Sequence, residues 1–329
     1  MGLFSDKIRV GVLRGGPSPE YEVSIATGAQ VMESLDKDIY EPIDIFISRG
    51  GAWHLQGFEK TPQKVLGQVD VVWNALHGEY GEDGTVQKVL SQVGIPFTGS
   101  GAVGSALGMN KISTKEYYKR HGLRTPAGVA INLSQLTRDK IREVFKLVPA
   151  PFVVKPVNGG SSVGVHLAHS LPELEEAVID AFSYSPAVLI EEFIAGKEAT
   201  CGVVDEWRGN KHHALLPIEI RQRENPDAVF DYKSKYSDNI VDEICPGNFT
   251  QEEKDEIEAA AIMAHGVLGL RHYSGSDFRI HPKRGVFIIE TNTLPGLTRH
   301  SLIPKSLHAA GAKLSDFLHH IISLALKHK

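Results

Sequence analysis

The chain has few cysteines and no excess of positive charge. Its 329 residues include only Cys201 and Cys245, with 35 Lys and Arg against 40 Asp and Glu and a formal net charge of −5. Two cysteines exclude a disulfide framework and fit a reducing compartment, where both would pack as small apolar groups. Since the sequence has no basic tract either, nothing in it indicates nucleic acid or an anionic membrane surface as a partner.

Long hydrophobic runs are missing as well. No apolar stretch reaches the roughly 20 residues of a membrane-spanning helix, and the first residues lead into a predicted strand without a signal-peptide pattern. We therefore expect a cytoplasmic protein without a membrane partner. With 42% hydrophobic and 23% charged residues, the composition is that of a globular protein of two or three domains.

The first hundred residues predict an open α/β sheet. Strand-like runs cover residues 8–13, 43–48 and 69–76, and an amphipathic helix is expected over 22–35. Ligands bind at the carboxyl ends of the strands in such sheets. Polar residues follow the first strand, and a second polar group follows the third strand over 76–84.

Residues 99–104 match the pattern G-x-G-x-x-G, which raises a dinucleotide-binding dehydrogenase as an alternative. The match begins about a hundred residues into the chain, and Lys119, Arg120 and His121 stand where a ribose-binding acid is expected. We therefore favour small residues that allow close packing. A helix is predicted next, over 106–121, and it carries Lys111.

A lysine inside an apolar strand precedes a glycine-rich loop. The strand is predicted over 151–156 and contains Lys155, and the Gly/Ser loop over 157–164 leads to another strand over 165–168. Successive N–H groups of such a loop can bind phosphate oxygens, and the lysine adds positive charge. The alternative, a glycine hairpin with structural serines, leaves Lys155 without a partner.

Two later segments also have the character of a nucleotide site. Residues 188–194 predict a strand that ends in Glu191 and Glu192, either running along a nucleotide or crossing between domains. The long polar stretch over 221–248 is more typical of a functional lid than of a passive connection. Amphipathic helices are expected over 249–268 and 301–327.

Between those helices the sequence predicts a hairpin over residues 274–292. Its strands cover 277–281 and 286–290, and the Pro-Lys-Arg-Gly sequence between them is typical of a turn. Symmetric closure of this turn pairs Asp277 with Glu290, Arg279 with Ile288 and His281 with Val286.

This pairing predicts a metal site. Because side chains alternate along a strand, Asn292 shares the face of Glu290, and the oxygens of Asp277, Glu290 and Asn292 converge. Two opposed carboxylates repel each other unless a cation lies between them, and a set of hard oxygen ligands suits Mg²⁺. The alternative is a solvated polar face at the end of the hairpin.

Taken together, these segments resemble the D-alanine-D-alanine ligase family of the ATP-grasp superfamily along nearly the whole chain. The resemblance is carried by EYEVS (20–24), LHG (76–78), GEDG (81–84), TGSG (98–101), MNK (109–111), KP (155–156), GSSVG (160–164), DY (231–232), KY (235–236), ETN (290–292), PG (295–296) and HSL (300–302).

The resemblance implies a three-domain ATP-grasp α/β fold with an N-terminal open parallel α/β sheet. The domains would cover 1–100, 101–190 and 191–329, with ATP held between the last two. The third domain would include the lid over 221–248 and the metal hairpin over 274–292.

The resemblance also implies which residues hold ATP and its metal ions. Lys111, Lys155, Ser162 and Lys235 would contact phosphates, Glu191, Glu192, Phe193 and Ile194 would line the adenine pocket, and Glu198 would bind the ribose. Asp277, Glu290 and Asn292 would bind two Mg²⁺ ions, with Mn²⁺ as a substitute.

For the substrates, the resemblance implies two D-alanines. ATP would phosphorylate the carboxylate of the first, and the amine of the second would attack the acylphosphate to give D-alanyl-D-alanine for peptidoglycan synthesis. Glu22, Val23, His77, Ser301 and Leu302 would bind the two amino acids. Glu22, Ser161 and Tyr236 would form a hydrogen-bonded set that closes the lid, and the Gly296 N–H would stabilise the oxyanion. A homodimer is expected.

One residue departs from the family pattern. An arginine is expected two positions before Asp277, where this chain has Gly275. Of the nearby arginines, Arg299 is expected to supply the missing charge better than Arg279. Two alternatives follow: an ATP-grasp ligase that takes D-lactate or D-serine as its second substrate, and a weakly active or non-catalytic nucleotide-binding relative.

Overall fold

The computed structural model describes residues 7–160, 163–223 and 241–327. The first of its three sheets has the order β4-β3-β2-β1-β5. Its strands are β1 (Ile8–Gly15), β2 (Tyr40–Ile47), β3 (Trp53–Leu55), β4 (Phe58–Glu59) and β5 (Val71–Asn74). Strand β1 is parallel to β2 and to β5, which confirms the expected open α/β sheet. The outer strands β3 and β4 run antiparallel, so the sheet is mixed at that edge.

Helices α1 (Tyr21–Ser34), α2 (Pro62–Leu66) and α3 (Thr85–Val93) belong to this first sheet region. The carboxyl end of β1 leads through a Gly-Gly turn into α1. At Gly15, where φ is +94°, an added Cβ would lie 2.2 Å from the Ile47 carbonyl oxygen. Glycine therefore lets the chain leave the sheet at the edge where ligands are expected.

The predicted helix over 106–121 is wrong in one respect, because the structure contains two helices here. They are α4 (Ala102–Met109) and α5 (Lys111–Arg120). Asn110 separates them with φ −90° and ψ 102°, and its side chain accepts a hydrogen bond from the Ser113 N–H. An asparagine cap of this kind starts a new helix, so Lys111 lies in the first turn of α5.

The second sheet has the order β6-β9-β7-β8 and is antiparallel throughout. It comprises β6 (Gly128–Asn132), β7 (Phe152–Pro156), β8 (His166–Ala168) and β9 (Ala187–Glu192). Helices α6 (Arg138–Leu147) and α7 (Leu171–Ala181) pack their apolar sides on this sheet, in a core around Phe152. Strand β7 carries the predicted lysine, and the glycine loop joins β7 to β8.

The third sheet has the order β13-β12-β10-β14-β15, with β11 also paired to β10. Its strands are β10 (Lys197–Asp205), β11 (His212–Ala214), β12 (Ile218–Gln222), β13 (Val241–Ile244), β14 (Tyr273–His281) and β15 (Gly285–Asn292). Helix α8 (Gln251–Val267) covers one face, and α9 (Leu302–Ala309) and α10 (Leu314–Lys327) follow the sheet.

The hairpin of β14 and β15 confirms the central pairing. Asp277 lies opposite Glu290, and Gly275 lies opposite Asn292. The other two predicted pairs are wrong: Arg279 faces Phe287, and His281 faces Gly285. A bulge between Asp277 and Phe278 shifts the register by one residue on the turn side.

Close packing joins the regions of the first and third sheets. The ring of Phe317 on α10 meets Trp73 of β5 edge-on, with 6.4 Å between centroids. Gly99 has φ +86°, and an added Cβ would lie 2.6 Å from the Leu294 side chain. At Gly104 the added Cβ would lie 3.0 Å from the Gly269 carbonyl. The G-x-G-x-x-G residues therefore allow close approach, as we expected.

Two further expectations concern the whole chain. Cys201 and Cys245 are both free thiols, and Cys201 is buried, which confirms that they form no disulfide with each other. Among the residues that the structure describes, we find no helix with both the length and the apolar character needed to cross a membrane. The domain boundaries near residues 100 and 190 stay a prediction.

Candidate active site

A cleft of about 850 Å³ lies where the three sheets meet. Every predicted site residue that the structure describes lines it. These residues are Glu22, Val23, His77, Lys111, Lys155, Glu191, Glu192, Phe193, Ile194, Glu198, Asp277, Glu290, Asn292, Gly296, Ser301 and Leu302. Four further predicted residues, Ser161, Ser162, Lys235 and Tyr236, lie outside the described residues.

The hairpin brings the three predicted metal ligands together. Asp277 accepts hydrogen bonds from the Thr200 hydroxyl at 2.7 Å and from the Asn292 amide at 3.3 Å. The Lys111 ammonium lies 3.6 Å from the Glu290 carboxylate. Two opposed carboxylates and an amide oxygen form a donor set of the kind that binds Mg²⁺. The arrangement therefore fits the metal that the sequence predicted.

A cluster of two lysines and one glutamate is buried beside the cleft, which Lys155 and Glu191 line. Glu191 lies between Lys155, 2.5 Å away, and Lys115, 2.6 Å away. Lys115 also donates hydrogen bonds to the Thr125 hydroxyl at 2.8 Å and to the Ile289 carbonyl at 3.2 Å. The anion that balances Lys155 in this structure is therefore a carboxylate of the neighbouring strand.

Burial and charge act against each other in this cluster. Burial lowers the pKa of Lys115 to about 8, although Glu191 opposes that effect. Burial works to raise the pKa of Glu191, but the ammonium groups of Lys115 and Lys155 hold the pKa below its usual value. The cluster keeps one net positive charge next to the glycine loop, which suits a phosphate group.

Glu192 points the other way from Glu191, as alternation along a strand requires. Its carboxylate accepts two hydrogen bonds from Arg284, at 2.6 and 2.8 Å, and a third from the Ala127 N–H at 3.0 Å. The Arg284 guanidinium is the main reason that the pKa of Glu192 is lowered. This side chain ties the second sheet to the turn of the hairpin.

Arg279 contacts several residues at another end of the cleft. Its guanidinium lies 3.6 Å from the Glu198 carboxylate and 5.1 Å from the centre of the Phe193 ring. It also donates a hydrogen bond to the Gly196 carbonyl at 3.2 Å. Phe193 and Glu198, which we predicted for the adenine and the ribose, are thereby held next to each other.

His77 and two glutamates form the opposite wall. Burial lowers the pKa of His77, and its Nε2 lies 3.0 Å from the Thr27 hydroxyl. Glu82 accepts hydrogen bonds from the N–H groups of Gly78 and Leu294, at 2.8 and 3.1 Å. Burial, together with the charge of Glu20, raises the pKa of Glu82 to about 8. An excess of carboxylates here suits a positively charged ligand group.

Glu22 lies at the rim of the cleft. Its side chain is 78% exposed and pairs with Arg49 at 2.9 Å, and that guanidinium lies 4.0 Å above the Tyr21 ring. By contrast, the Glu20 carboxylate lies inside: an added Cβ at Gly160 would be 2.9 Å from its Oε2. Glu20 therefore faces the glycine loop more directly than Glu22 does.

Gly296 and Ser301 approach each other across the loop after the hairpin. The Ser301 hydroxyl oxygen accepts a hydrogen bond from the Thr298 N–H at 3.0 Å and precedes the first residue of α9. An added Cβ at Gly296 would lie 2.9 Å from that oxygen. A glycine at 296 therefore leaves space between the loop and the start of the helix.

The space beside Gly275 is open towards the described residues, among which an added Cβ would touch only Pro295 at 3.4 and 3.6 Å. Arg299 does not fill it. Its guanidinium pairs with Glu33 at 2.8 Å and with Gln30 at 3.2 Å on α1, and the side chain is 71% exposed. The structure therefore does not support our expectation that Arg299 supplies the missing charge.

Our reading of the sequence missed several residues of the site. Lys115 could have been found, because it follows Lys111 by four residues and so lies on the same face of a helix. Glu20 lies in the EYEVS motif that carried the resemblance but was given no role, and Thr200 lacked such a signal. Thr200 reaches Asp277 only through the pairing of β10 with β14, which sequence spacing does not reveal.

Comparison with known proteins identifies the family. The family model described as D-ala D-ala ligase C-terminus matches residues 117–323, and the model described as D-ala D-ala ligase N-terminus matches residues 9–65 and 55–100. The chain belongs to the D-alanine–D-alanine ligase family.

Individual members of this ligase family match nearly end to end. The D-alanine–D-alanine ligase of Syntrophobacter fumaroxidans is 37% identical over 326 residues, covering 99% of this chain and 100% of the relative. The solved Bacillus anthracis ligase complexed with ATP is 30% identical with TM-score 0.79, covering 97% of this chain and 98% of that chain. The VanG D-Ala:D-Ser ligase from Enterococcus faecalis is 27% identical with TM-score 0.83, covering 97% and 99%.

The fold is therefore that of the ATP-grasp D-alanine–D-alanine ligases, as the sequence predicted. The site residues that the resemblance predicted come from the regions of all three sheets, and those that the structure describes line one cleft. Residues far apart along the chain, such as His77, Lys155 and Glu290, contribute to the same site.

Replacing Lys155 tests whether this residue binds the phosphates of the nucleotide. We expect Lys155→Met to raise the Kd of an ATP analogue at least about tenfold, since an interaction with a charged group is worth about 1.5–3 kcal/mol. Calorimetry with Mg²⁺ present measures this. Lys140→Met is the matched control, because Lys140 pairs with Glu143 on the exposed side of α6. Equal affinities of the two variants would contradict the assignment.

The lowered pKa of Lys115 predicts a pH dependence of nucleotide binding. Above about pH 8 the Lys115 ammonium loses its proton. Glu191 then pairs with Lys155 only, and the cluster loses one positive charge. We expect the parent's affinity to fall about tenfold as the pH rises through this value. Lys115→Arg should bind equally well across the range, because arginine stays charged. The same fall in both proteins would show that another group titrates.

Proposed function

We propose that this chain is an ATP-dependent ligase that joins two D-alanines into D-alanyl-D-alanine, releasing ADP and phosphate, for peptidoglycan precursor synthesis. The observation that carries the proposal is the meeting of an acidic hairpin and a lysine cluster in one cleft. A phosphate donor and a divalent ion need these two features side by side.

The nucleotide is ATP, whose phosphates would lie between the glycine loop and the hairpin. Lys155 and Lys111 would bind them, with Lys155 exchanging the Glu191 carboxylate for a phosphate oxygen. Phe193, Ile194 and Glu191 would form the adenine side, and Glu198 would bind the ribose. Glu192 would contribute through its backbone, because its carboxylate is bound by Arg284.

Asp277, Glu290 and Asn292 would hold two Mg²⁺ ions, for which Mn²⁺ could substitute. These ions would neutralise charge on the transferred phosphate. Thr200 would orient the Asp277 carboxylate through the hydrogen bond that it already donates.

The amino acids would bind on the His77 side of the cleft. Transfer of the terminal phosphate to the carboxylate of the first D-alanine makes that carbon electrophilic, and the amine of the second D-alanine then displaces the phosphate. Glu22 and Val23 would bind the first amino acid, Ser301 and Leu302 would bind the second, and His77 would lie near the second. The Gly296 N–H would stabilise the oxyanion. The set of Glu22, Ser161 and Tyr236, and the contact of Ser162 and Lys235 with phosphates, remain predictions.

D-Serine as the second substrate is the other candidate, because the VanG D-Ala:D-Ser ligase shares this fold at 27% identity. The space beside Gly275 would accommodate an acceptor larger than D-alanine. We place the enzyme in the cytoplasm, where ATP is available. The expected homodimer remains a prediction that light scattering can test.

Competition between acceptors tests the proposal directly. Purified protein with ATP, Mg²⁺ and equal amounts of D-alanine, D-serine and D-lactate should give D-alanyl-D-alanine as the main product by mass spectrometry. Reactions without ATP provide the control. A mixed D-alanyl-D-serine or D-alanyl-D-lactate product would reassign the second substrate, and a complete lack of ADP formation would contradict the ligase function.

A further inference from the structure

A second group of ligand-type side chains lies outside the cleft. Asp205 ends strand β10, His212 lies opposite it on β11, and His265 projects from α8. One ligand atom from each of these residues lies within 4.8 Å of the other two. The cluster therefore joins α8 to the paired strands β10 and β11.

The three side chains meet at one carboxylate oxygen. Asp205 Oδ1 lies 2.6 Å from His212 Nδ1 and 3.0 Å from His265 Nε2. The two imidazole rings are 5.2 Å apart between centroids. Both nitrogens therefore point towards the same small region, where a single ion would contact all three groups after small shifts.

Hydrogen bonds with neighbouring groups orient two of the three side chains. His265 Nδ1 lies 2.8 Å from the Ser274 hydroxyl, and Asp205 Oδ2 accepts a hydrogen bond from the His272 N–H at 2.5 Å. Metal-binding histidines usually have the second ring nitrogen hydrogen-bonded in this way, and ligating carboxylates are likewise held by hydrogen bonds. The cluster thus has the supporting contacts of a metal site.

The cluster lies on the other face of the third sheet from the cleft. Side chains alternate along β10, so Asp205 shares the face of Cys201 and Val203, which pack in the core under α8. Thr200, which contacts Asp277, faces the cleft. Five residues of strand separate Thr200 from Asp205, or about 17 Å, and an ion bound at Asp205 would not reach the reacting groups.

Two of the three side chains are partly exposed to solvent. The His265 side chain is completely buried, whereas the Asp205 and His212 side chains are 15% and 22% exposed. An ion would enter past Asp205 and His212.

We propose that Asp205, His212 and His265 form a structural binding site for a transition-metal ion of the Zn²⁺ class. Two imidazole nitrogens with one carboxylate suit such ions, whereas Mg²⁺ prefers oxygen ligands only. Each neutral imidazole would carry its proton on the nitrogen that does not bind the ion. For His265 this is Nδ1, and the Ser274 hydroxyl beside it can accept as well as donate a hydrogen bond.

The bound ion would fasten α8 to β10 and β11 close to a contact between two sheets. His272, whose N–H binds Asp205, also accepts a hydrogen bond from the Gly99 N–H at 3.1 Å through its ring. Since the ion would bind the folded chain alone, it would stabilise this region by mass action.

Cobalt titration tests the proposal on the full chain. Protein freed of metal by chelator is titrated with Co²⁺ in excess Mg²⁺, which occupies the oxygen site of the hairpin, and visible absorption reports nitrogen coordination. We expect one Co²⁺ per chain, displaced by Zn²⁺. Loss of the His212 ligand in His212→Gln should weaken binding by at least tenfold, and Ser274→Ala should weaken it about tenfold through the loss of orientation.

His213→Gln is the matched control. His213 is the next residue on β11 and hydrogen-bonds to Asn210 instead, so its replacement should leave Co²⁺ binding unchanged. Circular dichroism verifies that each variant folds. Equal binding by His212→Gln and His213→Gln would place the ion elsewhere. Absence of Co²⁺ and Zn²⁺ binding by the folded parent would show that the cluster is a hydrogen-bonded network only.

Discussion

The opposed carboxylates of Asp277 and Glu290 are the constraint on which the cleft depends. Two negative groups across a hairpin repel each other, and the surrounding residues offset that repulsion. Thr200 and Asn292 donate hydrogen bonds to Asp277, and Lys111 lies 3.6 Å from Glu290. A divalent cation bound between the two carboxylates would offset the repulsion further.

On the facing strands, the cluster of Lys115, Lys155 and Glu191 brings positive charges together. Two buried ammonium groups would repel each other without an anion, and Glu191 lies between them. Because Lys115 also binds Thr125 and the Ile289 carbonyl, the cluster fixes α5, β9 and the hairpin relative to one another. In the proposed reaction, Lys155 would turn to a phosphate while Lys115 keeps Glu191 ionised.

Local sequence patterns predicted individual elements well, but they did not predict contacts between residues that are distant in the sequence. The predicted pairing of Asp277 with Glu290 is correct although the predicted register at the turn is not: His281 pairs with Gly285, and a bulge that the sequence did not predict restores the expected register at Asp277. The cap at Asn110 went unnoticed inside a helical pattern. The partner of Lys155 could not be predicted, since Glu191 comes next to it only through the pairing of β7 with β9.

The central claim is that the hairpin carboxylates hold the divalent ion that accompanies the nucleotide. Melting temperatures with an ATP analogue, measured with and without Mg²⁺, test it in the parent and in Glu290→Gln. We predict that Mg²⁺ raises the melting temperature of the parent complex strongly, and that Glu290→Gln loses this increment while its metal-free form is at least as stable as the parent. The exposed variant Glu143→Gln should behave like the parent. An undiminished Mg²⁺ increment in Glu290→Gln would contradict the account.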